Sequence, residues 1–530
     1  MTERLRRWFG RHPYVVTVYP LGFGLAMLLH LLAESGGIGY GWSYVVAALT
    51  LLFACRPQSA LHRSTVERLG LCKTLLTVLV AAVTVVVCVR PMGELPIWNG
   101  EIPDHRNQYE LMAESILDGH IDLHYDEEDT LSALENPYDP AQREGHYYHW
   151  DHAYYEGHYY MYFGVVPVFL AFLPYRVITG EALTTFHATQ LFVAVAVAGI
   201  FALFRLLSKR FFKGMPFVVY LSLSAAVSVM SVWYAVAEPA LYCTAITSAI
   251  ALQVWSLYFF IKAVYVEQRE NRQILWAAVG AVFGALVFGC RPTIALANLL
   301  VIPMLVVFLG QRKFSWGLLG KLSLAASPYL LVGGALMLYN YARFDSPFEF
   351  GQAYQLTVAD QTAYAVTLNK EALMKIANGF LRVFCHVGSW GEEFPYVNAS
   401  GVFWNFPMLL LCGAVLRSAS LREMRKNRVL GLVFSLFLAV MLIVAMGILW
   451  TPYWLERYNM DFYFLLGIAC FMAVGFWYTT CGEKRKKYVS SAVVVLSGLT
   501  VLSAFLLCVG TIGVYYPIKV RETSRALHLW

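Results

Sequence analysis

Apolar and polar positions along this chain fall into long blocks rather than short alternations. A helix that crosses a bilayer needs about 17–25 mostly apolar residues. The chain offers thirteen such runs between charged stretches: 15–32, 38–54, 72–89, 184–206, 216–236, 240–264, 274–290, 293–309, 318–340, 401–416, 429–449, 460–478 and 488–509. One further apolar run, 158–178, is interrupted by Gly164, Pro167 and Pro174 and carries Tyr159, Tyr160, Tyr162 and Tyr175. The pattern predicts an all-α polytopic membrane protein of about 13 transmembrane helices. A large loop in the first half interrupts them and carries short helices and a candidate β-hairpin.

Composition excludes the main alternatives. The 530 residues are 58% hydrophobic and only 14% charged, against about 25% charged in soluble proteins. Several water-clothed domains, a disordered chain and a nucleic-acid-binding domain are all inconsistent with those figures. The ten cysteines stand singly, without any C-x-x-C spacing, so neither a zinc site nor a disulfide framework is expected. The first apolar run follows Arg4, Arg6, Arg7 and Arg11 without a small-residue cleavage signal, which predicts a retained first span.

Charge sorts the connections. With the N-terminus inside, segments 1–14, 55–71, 205–215, 262–273, 311–321, 417–428 and 480–487 are inner, and they hold 26 of the 40 Lys and Arg but six of the 34 acids. Positive residues gather on the cytoplasmic side of membrane proteins, so this parity predicts a cytoplasmic N-terminus in a cell (plasma or inner) membrane. It also requires run 158–178 to lie along the outer interface, because a crossing there would put Lys209, Arg210 and Lys213 outside. The expected divisions are 1–89, three spans; 90–183, an acidic extracytoplasmic loop with an interfacial helix; 184–340, a transmembrane core; 341–400, a second extracytoplasmic loop; and 401–530, C-terminal spans and tail.

The two long outer loops are where chemistry is expected, since loops of such length are usually functional or disordered and these are rich in aromatics. From Glu94 to Glu156 there are sixteen acids and two arginines. Asn107 and Glu110 form a capping pattern ahead of Tyr109, Met112, Ala113 and Ile116 on one face, and Gly119 ends the helix. Asp104 stands just before this helix, where its dipole would hold a carboxylate ionised. The sequence EGHYY occurs at 144–148 and 156–160, and the Glu-Gly pairs read as hairpin turns. Between them lies Asp151, after Trp150. His146, His149, His152 and His158 with Asp151 could alternatively ligate a divalent metal, although no strict ligand spacing is present.

Ionisable residues at span ends default to functional candidates. Glu238, Arg291, Arg343, Arg457 and Asp461 all fall at outer ends by the same parity. The guanidinium fork matches phosphate oxygens and stays charged, so the three arginines suit an anionic headgroup. The plainer reading pairs them with acids, for instance Arg457 with Asp461 at i,i+4.

In order and sidedness, Asp104 with Tyr109 and Gly119, NPYDP at 136–140, WDHAYYEGHYYMYFGVVP at 150–167, RPT at 291–293, YNYARFDSPFEFG at 339–351 and RYNMDF at 457–462 resemble the multi-spanning GT-C glycosyltransferases. Those include the dolichyl-phosphate-mannose protein mannosyltransferases and the lipid A aminoarabinose transferase. The resemblance runs from about residue 72 to 480. It implies an inverting transferase that moves a sugar from a polyprenyl-phosphate carrier to a hydroxyl acceptor, on glycan, lipid or protein, at the extracytoplasmic face. It also implies an acidic base in the first outer loop. Asp104 best matches that acid, with His105 where a second acid is expected and Tyr109 following, and Asp151 is the rival. Arg291, Arg343 and Arg457, with Tyr458 and Tyr109, are the implied donor-binding residues, and Tyr147, Tyr148, Trp150, Tyr154 and Tyr155 the sugar or lipid platforms. The scheme requires no cofactor; a divalent metal on His146, His149 and His152 is the alternative. The implied partners are the lipid-linked donor, an envelope acceptor and membrane lipids, without nucleic acid. A multi-pass transporter or flippase is the competing class, but no two halves of the chain match as inverted repeats would.

Overall fold

The computed structural model describes residues 59–67, 70–89, 108–125, 130–239, 241–362, 369–389, 397–451 and 454–515. Predicted spans 15–32 and 38–54 and the N-terminal segment lie outside the described residues. In chain order the principal helices are α1 (Leu71–Val89), α2 (Gln108–Leu117), α3 (Leu173–Thr179), α4 (Thr185–Phe211), α5 (Phe217–Ala237), α6 (Leu241–Ile261), α7 (Glu270–Phe288), α8 (Val301–Leu309), α9 (Trp316–Phe344), α10 (Lys370–Cys385), α11 (Leu430–Trp450), α12 (Met460–Thr480) and α13 (Glu483–Tyr515). Nine helical segments among the described residues are long and apolar enough to cross a bilayer. The protein is an all-α polytopic membrane protein with one small hairpin, β1 (Ala153–Tyr155) and β2 (His158–Tyr160).

One expected span takes another form. Stretch 401–416 is a short helix, Val402–Asn405, followed by a 3₁₀ segment, Pro407–Leu416. Pro407 withholds an N–H at the junction and the Asn405 carboxamide turns back to the Ser400 carbonyl at 2.8 Å. The segment packs on α12. That helix is apolar on every side and buried along nearly its whole length, the pattern expected of a central helix. Its glycines allow close approach: a Cβ on Gly467 would lie 2.3 Å from Val227 of α5, and one on Gly475 2.5 Å from Phe212. Small residues at such crossings are the usual means of packing helices in lipid. At the other extreme α9 exposes Leu324, Leu330, Leu331 and Leu338.

The basic connections meet one another at one end of the bundle. Phe217 N–H donates to the Ser64 carbonyl at 2.7 Å, Gly214 N–H to Glu67 at 2.9 Å, Arg210 to the Tyr265 carbonyl at 2.5 Å, and the Tyr265 hydroxyl to the Arg428 carbonyl at 3.2 Å. Lys321 pairs with Glu270 at 2.6 Å.

Run 158–178 begins and ends among the acidic loop. Its helical part, a π turn over Val168–Phe172 followed by α3, covers about 18 Å at 1.5 Å per residue, short of the roughly 30 Å hydrocarbon core. Gly180, at φ 77°, stops it. Arg176 then pairs with Glu114 of α2 at 2.7 Å, and Thr185 N–H donates to Glu110 at 3.0 Å. The entry to this run crosses the C-terminal end of α7 backbone on backbone. Val166 N–H donates to the Gly289 carbonyl at 2.9 Å, and a Cβ on Gly164 would lie 2.2 Å from that oxygen. Gly164→Ala should therefore lower stability by about 1–3 kcal/mol, the usual cost of overpacking, whereas Gly333→Ala, with nothing within 4 Å of the new methyl, should leave it unchanged. Thermal unfolding of the two variants in detergent checks this.

Helix α10 in the second long loop divides into three sectors. Ile376, Phe380, Val383 and Phe384 pack on the core, Glu371, Lys375 and Arg382 form a charged strip, and Leu373, Met374 and Leu381 lie exposed between them. This division is the one expected of a helix that lies in the headgroup plane with its free apolar sector in lipid. A bimane on Leu381→Cys, in a cysteine-free background, should be quenched by nitroxide lipid, and one on Glu371→Cys should not.

Candidate active site

The second EGHYY repeat makes the hairpin. Glu156 (φ 50°) and Gly157 (φ 84°) are the two left-handed residues that a two-residue turn of this twist demands, and Ala153 faces Tyr160. The first repeat makes only a turn, around Gly145. The two long loops share this hairpin. Leu123 N–H donates to the Tyr159 carbonyl at 2.7 Å on one side; on the other, Tyr154 N–H donates to Tyr354 at 3.0 Å and Leu356 N–H to His152 at 2.8 Å. Arg143 donates to the Thr357 carbonyl at 2.5 Å, and Asn136 to Asp360 at 2.9 Å.

Asp151 stands where hairpin, second loop and membrane helices meet. It is buried and adopts φ 56°, a region that non-glycine residues enter at a cost and that clusters at functional sites. Its N–H donates to the Leu356 carbonyl at 3.0 Å and its carbonyl accepts from Gln108 of α2 at 2.9 Å. Its carboxylate accepts from the Gln355 carboxamide at 2.9 Å through Oδ1 and from the Tyr242 hydroxyl through Oδ2. Tyr242 lies in the first turn of α6, and its ring carries the Arg457 guanidinium 3.9 Å from the centroid.

Arg457 and Arg291 flank Tyr458, at 5.6 and 5.7 Å from its ring centroid. Among the described residues no carboxylate lies within ion-pair distance of Arg457. Arg291 Nε donates to Asp461 Oδ1 at 2.6 Å, and Thr293 Oγ1 to Oδ2 at 2.8 Å. The expected Arg457–Asp461 pairing is thus replaced by Arg291–Asp461. The reason is local: Glu456–Asn459 is a 3₁₀ turn with three residues per turn rather than 3.6, which takes Arg457 off the face of Asp461. Glu238, also buried, accepts from Tyr234 at 2.7 Å. Tyr162 lies within the field of Asp151, Arg457 and Arg291. Burial, then the Asp151 charge, pushes its phenol well above the ordinary value, with the two guanidiniums opposing. Tyr109, fully buried and stacked on Phe172 at 5.2 Å, is likewise pushed up by burial, with Arg291 opposing; among the described residues its hydroxyl has no hydrogen-bond partner.

The structure therefore brings Asp151, Arg291, Arg457, Tyr458 and Tyr109 into one neighbourhood. Arg343 is placed differently: Nη1 donates to the Met161 carbonyl at 2.6 Å, Nη2 to Asn340 at 2.8 Å, and the guanidinium lies 4.0 Å from the Tyr339 centroid. It braces the entry to run 158–178. Asp104 lies outside the described residues. His149 and His152 stay together, with ring centroids 5.5 Å apart, but no group of three metal-binding side chains forms among the described residues. His146 bonds Thr130 at 3.1 Å, His149 stacks on Tyr125 at 3.6 Å, and His158 meets Asp122 at 3.0 Å. His152 donates from Nδ1 to the Trp150 carbonyl and accepts at Nε2 from Tyr125. Tyr242, Gln355 and Tyr162 are the neighbours that the sequence did not single out. Gln355, beside Tyr354 in the second long loop, carried no signal that set it apart from Gln352.

No family model and no curated protein sequence matches the chain. Among solved structures it is similar to the oligosaccharyltransferase of Archaeoglobus fulgidus tethered with an acceptor peptide containing the NVT sequon, at 12% identity and TM-score 0.38, over 82% of this chain and 55% of that one. It is similar in the same degree to the A. fulgidus oligosaccharyltransferase AglB in complex with an inhibitory peptide and a dolichol-phosphate, at 12% identity and TM-score 0.38, over 84% and 56%. The chain spans about half the length of these proteins, and a likeness at this level assigns neither activity nor substrate.

Proposed function

We propose that the protein is an inverting glycosyltransferase of GT-C type that moves a sugar from a polyprenyl-phosphate carrier to a hydroxyl acceptor at the extracytoplasmic membrane face. The observation that carries this reading is the Asp151 carboxylate beside Arg457, joined through the single side chain of Tyr242. A phosphate-linked sugar is already activated. The acceptor oxygen attacks the anomeric carbon as its proton passes to Asp151, the bond from that carbon to the phosphate oxygen breaks, and the phosphate leaves with both electrons. Arg457, with no carboxylate in ion-pair distance among the described residues, and the remaining donors of Arg291 take up that charge. Sidedness rests on the sorting of Lys and Arg to the opposite connections, and buried Tyr109 with half-buried Tyr162 and Tyr458 forms an aromatic floor that limits water at the donor.

The test is purified protein in vesicles with a polyprenyl-phosphate sugar and a hydroxyl acceptor. Arg457→Met should raise the donor KM about 10- to 100-fold, the worth of a charge-assisted hydrogen bond, and transfer should survive a chelator. Donor that crosses the bilayer intact would identify a flippase, and loss of transfer on chelation with recovery on adding Mn²⁺ would assign the phosphate to a metal.

A further inference from the structure

We infer that Tyr242 and Gln355 are positioning residues that hold the proton-accepting carboxylate of Asp151, and that Tyr242 also sets its distance from Arg457; this rests on the transferase reading above. The two residues reach Asp151 from separate parts of the fold, Gln355 from the second long loop and Tyr242 from the first turn of α6. Each takes one carboxylate oxygen. A carboxylate accepts in the plane of its two oxygens, so one donor on each oxygen fixes that plane. The backbone beneath is pinned at φ 56° by Leu356 and Gln108, so the carboxylate has little freedom to follow a donor that moves. Tyr242 presents two functional surfaces at once, its hydroxyl to Asp151 and its ring face to Arg457. Phe163 packs edge-on to the same ring at 5.5 Å and keeps it in place. Base and phosphate grip, 306 positions apart in sequence, are thereby set one ring apart.

Two pairs of variants separate positioning from mere packing. Tyr242→Phe removes the hydroxyl but keeps the ring under Arg457, so kcat should fall about 10- to 100-fold, the scale expected when an aligned catalytic group is loosened, with the donor KM unchanged. Tyr242→Leu removes both surfaces and should lower kcat and also raise the donor KM, as Arg457→Met does. Gln355→Glu is nearly isosteric but replaces the donor with a second carboxylate, so it should be at least as impaired in kcat as Gln355→Leu. A packing role predicts the reverse order, with Glu the milder change. Thermal unfolding of each variant, measured alongside, reports whether the fold is retained. The inference is overturned if Asp151→Asn is inactive while Tyr242→Phe and Gln355→Glu keep wild-type kcat, an outcome that leaves the transferase reading standing. It is overturned as well if Tyr242→Phe and Tyr242→Leu raise the donor KM equally. Wild-type turnover in Asp151→Asn removes both the inference and its premise.

Discussion

Asp151→Asn should reduce sugar transfer by about 10²- to 10⁴-fold, the usual contribution of a positioned general base, while the protein remains folded in the membrane. The side chain keeps its size, so the hairpin and its bonds to Leu356 and Gln108 are untouched. The carboxamide has a single acceptor atom where the carboxylate had two, and so one of Tyr242 and Gln355 must face an N–H. An unmet buried donor costs about 1–3 kcal/mol, a loss that thermal unfolding will register. Such a loss cannot by itself produce a hundredfold fall in the turnover of folded enzyme. Donor binding, governed by Arg457 and Arg291, should be little changed. Reconstituted transfer assays on Asp151→Asn and Asp104→Asn decide between the two acids of the first loop, and near-normal turnover of the Asp151 variant would return the base to Asp104.

The second large effect concerns the Arg291–Asp461 pair. Arg291→Met leaves the Asp461 carboxylate, 4% exposed in its side chain, with Thr293 as its one remaining side-chain donor among the described residues. Breaking a buried pair from one side costs about 3–5 kcal/mol, because the remaining charge is uncompensated. Asp461→Leu should cost a similar amount. Removing both charges together should restore most of the stability, since apolar replacements of a buried pair are often neutral, and neighbours of this kind are strongly non-additive. Donor binding should not recover in the double variant, because the guanidinium beside Tyr458 is gone. A double variant as unstable as the sum of its parts would show that packing, rather than charge, holds these helices together.

How far the sequence could be read depends on whether a feature is local. Span positions were legible because hydrocarbon thickness imposes a length and a polarity on each block, whereas the two Glu-Gly pairs, alike in sequence, part in the fold: Glu156-Gly157 turns a hairpin and Glu144-Gly145 does not. Charge parity assigns run 158–178 to the outer interface, and in the fold Arg176 and Thr185 tie it to α2. Partnerships across the fold were not legible. Asp461 takes Arg291, 170 positions away, rather than the arginine four positions before it, because a 3₁₀ turn alters the phase between neighbours. The bond from Gln355 to Asp151 depends on the second loop adding itself to β1, which no periodicity encodes. Of the histidines, His149 and His152 remain neighbours, their ring centroids 5.5 Å apart against Tyr125, while His146 and His158 bond Thr130 and Asp122, pairings that density in the sequence does not encode. Asp104, the acid favoured by resemblance, lies outside the described residues, and of the two candidate bases Asp151 is the one the described residues include.

The most direct measurement is the anomeric configuration of the product formed by the purified protein from a polyprenyl-phosphate sugar of known configuration. A glycoside of inverted configuration, formed with release of one polyprenyl phosphate per sugar and absent with Asp151→Asn, is the result this account predicts. Retention of configuration, or a donor that stays intact in the presence of acceptor, would contradict it.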